Sequence, residues 1–125
     1  TLPPIDYSNV NLRDKPLDTI RKAISGRWQL HYDSTLGFIG WTKGFHTNEF
    51  VSFLSNDTIK RIINGNVIDY DKAVVYRAAS NFYILDTVYI FELPSSTIAY
   101  AMDKIFNDTL KIQQAPRFFY LTKKP

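Results

Sequence analysis

Two histidines, His31 and His46, and no cysteine among 125 residues set narrow limits on the chemistry this chain can perform. Without cysteine there is no thiolate nucleophile, no disulfide and no sulfur ligand for a metal. A nitrogen-based metal site needs histidines at ligand spacing with a carboxylate beside them. Here one histidine falls in an alternating strand-like stretch and the other in a long connection. No Gly-x-Ser-x-Gly occurs, and no Ser, His and Asp share the spacing of a nucleophilic triad. Asp69, Asp71, Asp86 and Asp103 are the carboxylates available for pairing inside a fold, but strand alternation directs most of them to solvent. The chain reads as non-enzymatic, with no catalytic residues, no metal ligands and no cofactor.

What remains is the chemistry of flat apolar surfaces. Aromatic residues make up 15% of the chain, mostly Tyr (8) and Phe (9), and such side chains line a cavity as readily as they fill one. Strand phase selects Tyr32, Phe53, Tyr70, Tyr89 and Tyr100 as inward-facing candidates for a ligand-binding cavity. Phe38 and Trp41 join them from a connection, 34–47, that is longer and more apolar than a hairpin turn requires. Gly37, Gly40 and Gly44 give that connection hinges, and a lid over a barrel mouth is the expected role.

These side chains need a scaffold, and the sequence predicts one of β-strands. A run of alternation opens at Gly26, with Trp28, Leu30 and Tyr32 set against Arg27, Gln29 and His31. Strands are expected at 26–33, 48–54, 57–63, 66–77, 82–92, 97–106, 109–114 and 117–123. Asn64-Gly65 is a strong type I′ hairpin signal, and Asn56-Asp57-Thr58 recurs as Asn107-Asp108-Thr109, one turn solution used twice. Leu17, Ile20, Ala23 and Ile24 predict a short helix ahead of the first strand, bracing one end of the fold. Residues 1–15 carry scattered apolar residues without period and read as a flexible leader, so the domain proper is 16–125. The expected fold is all-β, an eight-stranded antiparallel up-and-down barrel with a short N-terminal helix.

Charge and hydropathy narrow the partners. Fifteen basic and twelve acidic residues are interspersed, with no basic segment of the kind a nucleic-acid binder presents, so no nucleic-acid partner is expected. No apolar stretch is long enough to span a bilayer as a helix. The chain starts at Thr1 without methionine or a signal-like run, as a mature or trimmed chain does.

Gly26-x-Trp28 after a short helix, the Phe53–Thr58 strand-turn-strand, and the aromatic Phe118–Lys123 ending resemble the lipocalins and their calycin relatives. The likeness is closest to small bacterial lipocalin-like domains, often secreted lipoproteins, and spans about residues 24 to 124. The basic residue that lipocalins lay across the tryptophan corresponds here to Lys123, or to Arg117 in another register. The lipocalin Thr-Asp-x-x-Tyr motif is absent, with Asn107-Asp108-Thr109 its loose counterpart. The resemblance implies a calycin-like barrel, an extracytoplasmic location (secreted, periplasmic or membrane-tethered) and a membrane association only through a lipid anchor upstream. The expected function is binding of a small apolar or amphipathic molecule in the barrel interior. The alternative is a protein-interaction module using the 34–47 connection and an exposed apolar sheet face.

Overall fold

Trp28 sits where the helix gives way to the sheet, and its contacts fix that junction. In the computed structural model, which describes residues 5–37, 40–79, 87–96, 98–114 and 117–124, the helix α1 spans Leu17–Ile24. Asp18 lies in its first turn and Arg21 and Lys22 in its last, each where the helix dipole favours its charge. Ile20, Ala23 and Ile24 are buried on one stripe, with Leu17 packed beside them. The Trp28 indole Nε1 donates to the Ile24 carbonyl at 2.8 Å, partnering a last-turn carbonyl that the helix itself leaves open. Lys123 lies over the other side of the indole, its Nζ 5.5 Å from the ring centroid. Gly26 makes this possible: its φ is +115°, and a β-carbon there would meet Lys123 Cε at 3.1 Å.

The rest of the fold is one antiparallel sheet. Its strands are β1 (Val10–Asn11), β2 (Gly26–Gly37), β3 (Gly40–Phe45), β4 (Glu49–Phe53), β5 (Thr58–Ile63) and β6 (Asn66–Lys72). β7 (Val74–Ala79), β8 (Thr87–Leu93), β9 (Ile98–Phe106), β10 (Thr109–Gln114) and β11 (Arg117–Lys124) complete it. The order is β6-β5-β4-β2-β11-β10-β9-β8-β7, with β3 added on β2 and β1 on β9. The sheet curls around a buried face that α1 covers. Hairpin turns use the residues their geometry demands: Asn64 and Gly65 have φ of 51° and 81°, and Asn107 and Asp108 48° and 60°. No helix among the described residues is long and apolar enough to cross a membrane.

The fold is all-β as expected, a curled antiparallel half-barrel sheet with one helix, and its strand count departs from the eight expected. The sheet has eleven strands, for three reasons. The strand expected at 66–77 breaks at the buried Ala73 into β6 and β7, which lie at opposite edges of the sheet. The connection 34–47 is largely strand, because Thr35, Trp41, Thr42 and Phe45 are good strand formers; β2 runs on to Gly37 and β3 pairs back along it. Residues 40–45, expected in a lid, are paired along β2 as part of the sheet, while Phe38 and Ile39 lie outside the described residues. Third, the leader is tied down: Val10 and Asn11 pair with Ile105 and Lys104, and Leu12 donates its N–H to the Asp103 carbonyl at 2.9 Å. Leu12 is fully buried and Val10 nearly so. Two apolar residues at i and i+2 are too few to announce a strand, which is why this stretch read as a tether. The first part of the expected strand 82–92 lies outside the described residues; the others agree with β-structure to within a few residues.

Bulges decide which side chains face the core. Between β11 and β2, Tyr120 pairs with Tyr32 but Leu121 pairs with Leu30, leaving His31 as an extra residue. Between β10 and β9, Lys111 pairs with Lys104 but Ile112 with Met102, leaving Asp103 extra. An extra residue reverses the in–out phase of everything beyond it. Leu30 and Met102 therefore face the core, and Tyr32 and Lys104, which would otherwise follow them inward, border a groove on the other side.

Replacing Trp28 with Ala should lower stability by about 3–5 kcal/mol, and Leu12→Ala by about 2–5 kcal/mol, as for buried side chains elsewhere. Deleting residues 1–12 should lower the melting temperature as well. Denaturant titration of the three variants checks this, and an unchanged midpoint on deletion would return the segment to the status of a tether.

Candidate functional site

Three of the aromatics expected to line a cavity, Phe53, Tyr89 and Tyr100, come together on the inner face. Phe53 packs edge-on against Phe91 and Tyr100, with centroids 6.4 and 6.5 Å away. All three rings are buried, and Tyr89 packs at their margin. The hollow beside them, between β4, β5 and β11, measures about 40 Å³. That admits a water molecule, whereas small-molecule sites run to about 300–1,000 Å³. Burial, opposed by the Arg61 guanidinium and reinforced by Asp69 and Glu49, pushes the Tyr100 hydroxyl up to about 12, so it stays protonated at neutral pH.

The other expected site residues do not join this cluster. Tyr70 is 64% exposed, because Ile68 is the extra residue of a third bulge and shifts the register of β6 on β5. Tyr32 and Trp41 lie on the opposite face of the sheet, beside the groove described next. Phe38 lies outside the described residues.

On that opposite face β3, β2, β11, β10 and β9 form a groove of about 510 Å³. Tyr32 and Tyr120 stack across the β2–β11 pair with centroids 4.5 Å apart and planes at 16°. Trp41, 55% exposed, leans on Phe118 with 6.2 Å between centroids. Lysines lie over the rings: Lys43 Nζ is 4.8 Å from Tyr32, Lys111 Nζ 4.4 Å from Phe118 and Lys104 Nζ 5.3 Å from Phe106. Asp103, the bulge residue of β9, is buried between Arg13 (3.2 Å) and Lys111 (3.6 Å). Sequence reasoning missed this constellation, because its cations come from three separate segments: Arg13 of the leader, Lys43 of β3, and Lys104 and Lys111 facing each other across the β9–β10 hairpin. A second hollow of about 390 Å³ lies between α1 and the 55–57 turn, with Arg21 among its lining residues. The Arg21 guanidinium grips Asp57 there through two hydrogen bonds of 2.9 and 2.8 Å.

The β3 wall of the groove is fastened by His46. Its Nε2 lies 2.6 Å from Asp33 Oδ2 and its Nδ1 3.0 Å from Glu49 Oε1. A neutral imidazole donates through only one nitrogen, whereas the imidazolium donates to both carboxylates. Burial alone would depress the His46 pKa, but the hydrogen bonds and charges of Asp33 and Glu49 outweigh it and raise it above the ordinary value. Gly44 allows the close approach, since a β-carbon there would come within 3.1 Å of Asp33 Oδ1.

No protein-family model matches the chain, and comparison with curated proteins and with solved structures finds no match.

With a folded-state pKa raised from 6.5, His46 contributes its stabilisation fully below about pH 6.5 and loses it as pH rises through the raised value. Stability measured by denaturant titration should therefore fall across that interval in the wild type. His46→Gln should flatten the fall, while His31 remains in both proteins. An identical pH dependence in the variant would show that the two carboxylates do not hold the imidazolium.

Proposed function

We propose that this chain is a non-enzymatic binding module that holds a small amphipathic molecule, and that its site is the aromatic groove bordered by β2, β3 and β11. One observation carries this reading. The hollow beside the inner rings has about 40 Å³, too little for a small molecule, and of the two openings that have the capacity the outer groove is the larger, about 510 Å³ against about 390 Å³ beside α1, and the richer in aromatic rings, four against two. Tyr32, Trp41, Phe118 and Tyr120 offer a ligand flat apolar contact, and the surrounding lysines and hydroxyls offer it orientation. The likeness of the Gly26–Trp28 opening and the last strand to secreted lipocalin-like domains supports an extracytoplasmic setting for this binding, as part of the same proposal.

A second reading, a protein-interaction module, is favoured by Phe45, which stands 79% exposed beside Tyr32 at the end of β3. Its mark would be a stoichiometric protein complex lost on Phe45→Ser, with no small molecule in the native mass.

Native mass spectrometry of protein from its own cells, followed by extraction, tests the first reading. A bound amphipathic molecule should appear, and its removal should change Trp41 fluorescence. Trp41→Ala should abolish retention while changing stability by less than about 1 kcal/mol, as at other exposed sites. Phe53→Leu, in the core, should leave retention intact. Retention by Trp41→Ala together with loss in a folded Phe53→Leu protein would move the site to the interior.

A further inference from the structure

We propose that the occupant of the outer groove is a small aromatic anion, a flat ring bearing a carboxylate, sulfonate or phosphate. The inference rests on the groove being the binding site and adds the chemistry of what it takes.

Charge comes first. Arg13, Lys43, Lys104 and Lys111 line the groove against a single carboxylate, Asp103. That is an excess of three cations, as large as the excess of the whole chain, with 15 basic and 12 acidic residues. Asp103 is 4% exposed and already held by Arg13 and Lys111. Its charge is neutralised within the wall of the groove. Lys43 rises from β3 on one side and Lys104 from β9 on the other, and among the described residues neither forms an ion pair with a carboxylate. A bound anion meets positive potential from both sides, and a cation meets repulsion.

The apolar lining then selects the body of the ligand. Every apolar side chain that lines the groove is aromatic, and no Leu, Ile, Val or Met contributes. An acyl chain is best held in a deep aliphatic channel, whereas a ring gains stacking or edge contacts from neighbouring rings. Trp41 offers the most accessible ring. Lysines poised over ring faces at 4.4–5.3 Å show that cations and aromatic faces already share this surface. A ligand ring lying among them receives the same cation–π contacts while its acidic group pairs with an ammonium. The two bulges are what assemble the groove, since they send Tyr32 and Lys104 to this face.

The test uses the full chain with 2-naphthoate and its neutral isostere 2-naphthamide, followed by amide NMR and Trp fluorescence. Naphthoate should bind with Kd below about 1 mM, a modest affinity for a ligand of this size. Its shift changes should centre on Tyr32, Trp41, Phe118 and Tyr120. The amide should bind at least about tenfold more weakly, and added salt should weaken the acid and not the amide. Lys43→Gln and Lys104→Gln should each weaken naphthoate by about three- to tenfold, and the Arg replacements should restore it. Equal binding of acid and amide in the groove would overturn the anionic ligand and leave the groove as the site. No binding by either, or shifts mapped to another surface, would overturn both. A single-stranded oligonucleotide bound far more tightly than naphthoate would overturn the small ligand in favour of a strand tracking several rings.

Discussion

The period of two that governs every β-strand is the constraint on which this molecule is built, and the places where it is broken are as consequential as the places where it holds. Along β2 the alternation puts Trp28 and Leu30 into the core. One unpaired residue, His31, then sends Tyr32 to the far side. On β9 the unpaired Asp103 does the same for Lys104 while letting Ile105 return to the core. Neither strand would supply both a continuous core and a populated outer groove if its phase ran unbroken. The core face loses nothing by this, because the leucines and isoleucines of β10 and β11 meet the shifted strands in the new register.

Much of this was legible in the sequence. Turn chemistry marked the hairpins at Asn64-Gly65 and Asn107-Asp108, both of which adopt positive φ at two successive residues. Helical spacing from Leu17 to Ile24 found α1, and the Gly-Arg-Trp opening placed Trp28 between the helix and Lys123. Bulges were not legible, because one extra residue leaves composition and alternation intact on either side and shows only when a partner strand is aligned. Tyr32 and Tyr70 were assigned to the interior for that reason. The groove was hidden for another: Arg13, Lys43, Lys104 and Lys111 look interspersed along the chain and converge only when β1 and β3 add to the edges of β9 and β2.

The two faces of the sheet obey different physics. On the inner face the aromatic rings pack against one another, and the charged groups named above are paired: Arg61 with Asp69, and His46 with Asp33 and Glu49. Buried charge tolerates no less. On the outer face rings and ammonium groups lie together at the water boundary, an arrangement favourable enough to persist and open enough to admit a competitor for the same contacts. His46 touches both regimes. It anchors through Asp33 and Glu49, and the strand it fastens carries Trp41 and Lys43.

The pairing of β2 with β11 has a consequence in time. Trp28 meets Lys123, and Val10 meets Ile105, so the first strands of the chain wait for the last. During synthesis an emerging chain can close β4 on β5 and β5 on β6, which are local hairpins, long before the middle of the sheet exists. Until β11 leaves the ribosome, β2 exposes an unpaired edge and Trp28 lacks its covering lysine. The β2–β11 ladder cannot form until Arg117–Lys124 has been made, and in a chain truncated before Arg117 no strand pairing among the described residues joins β6-β5-β4-β2 to β10-β9-β8-β7.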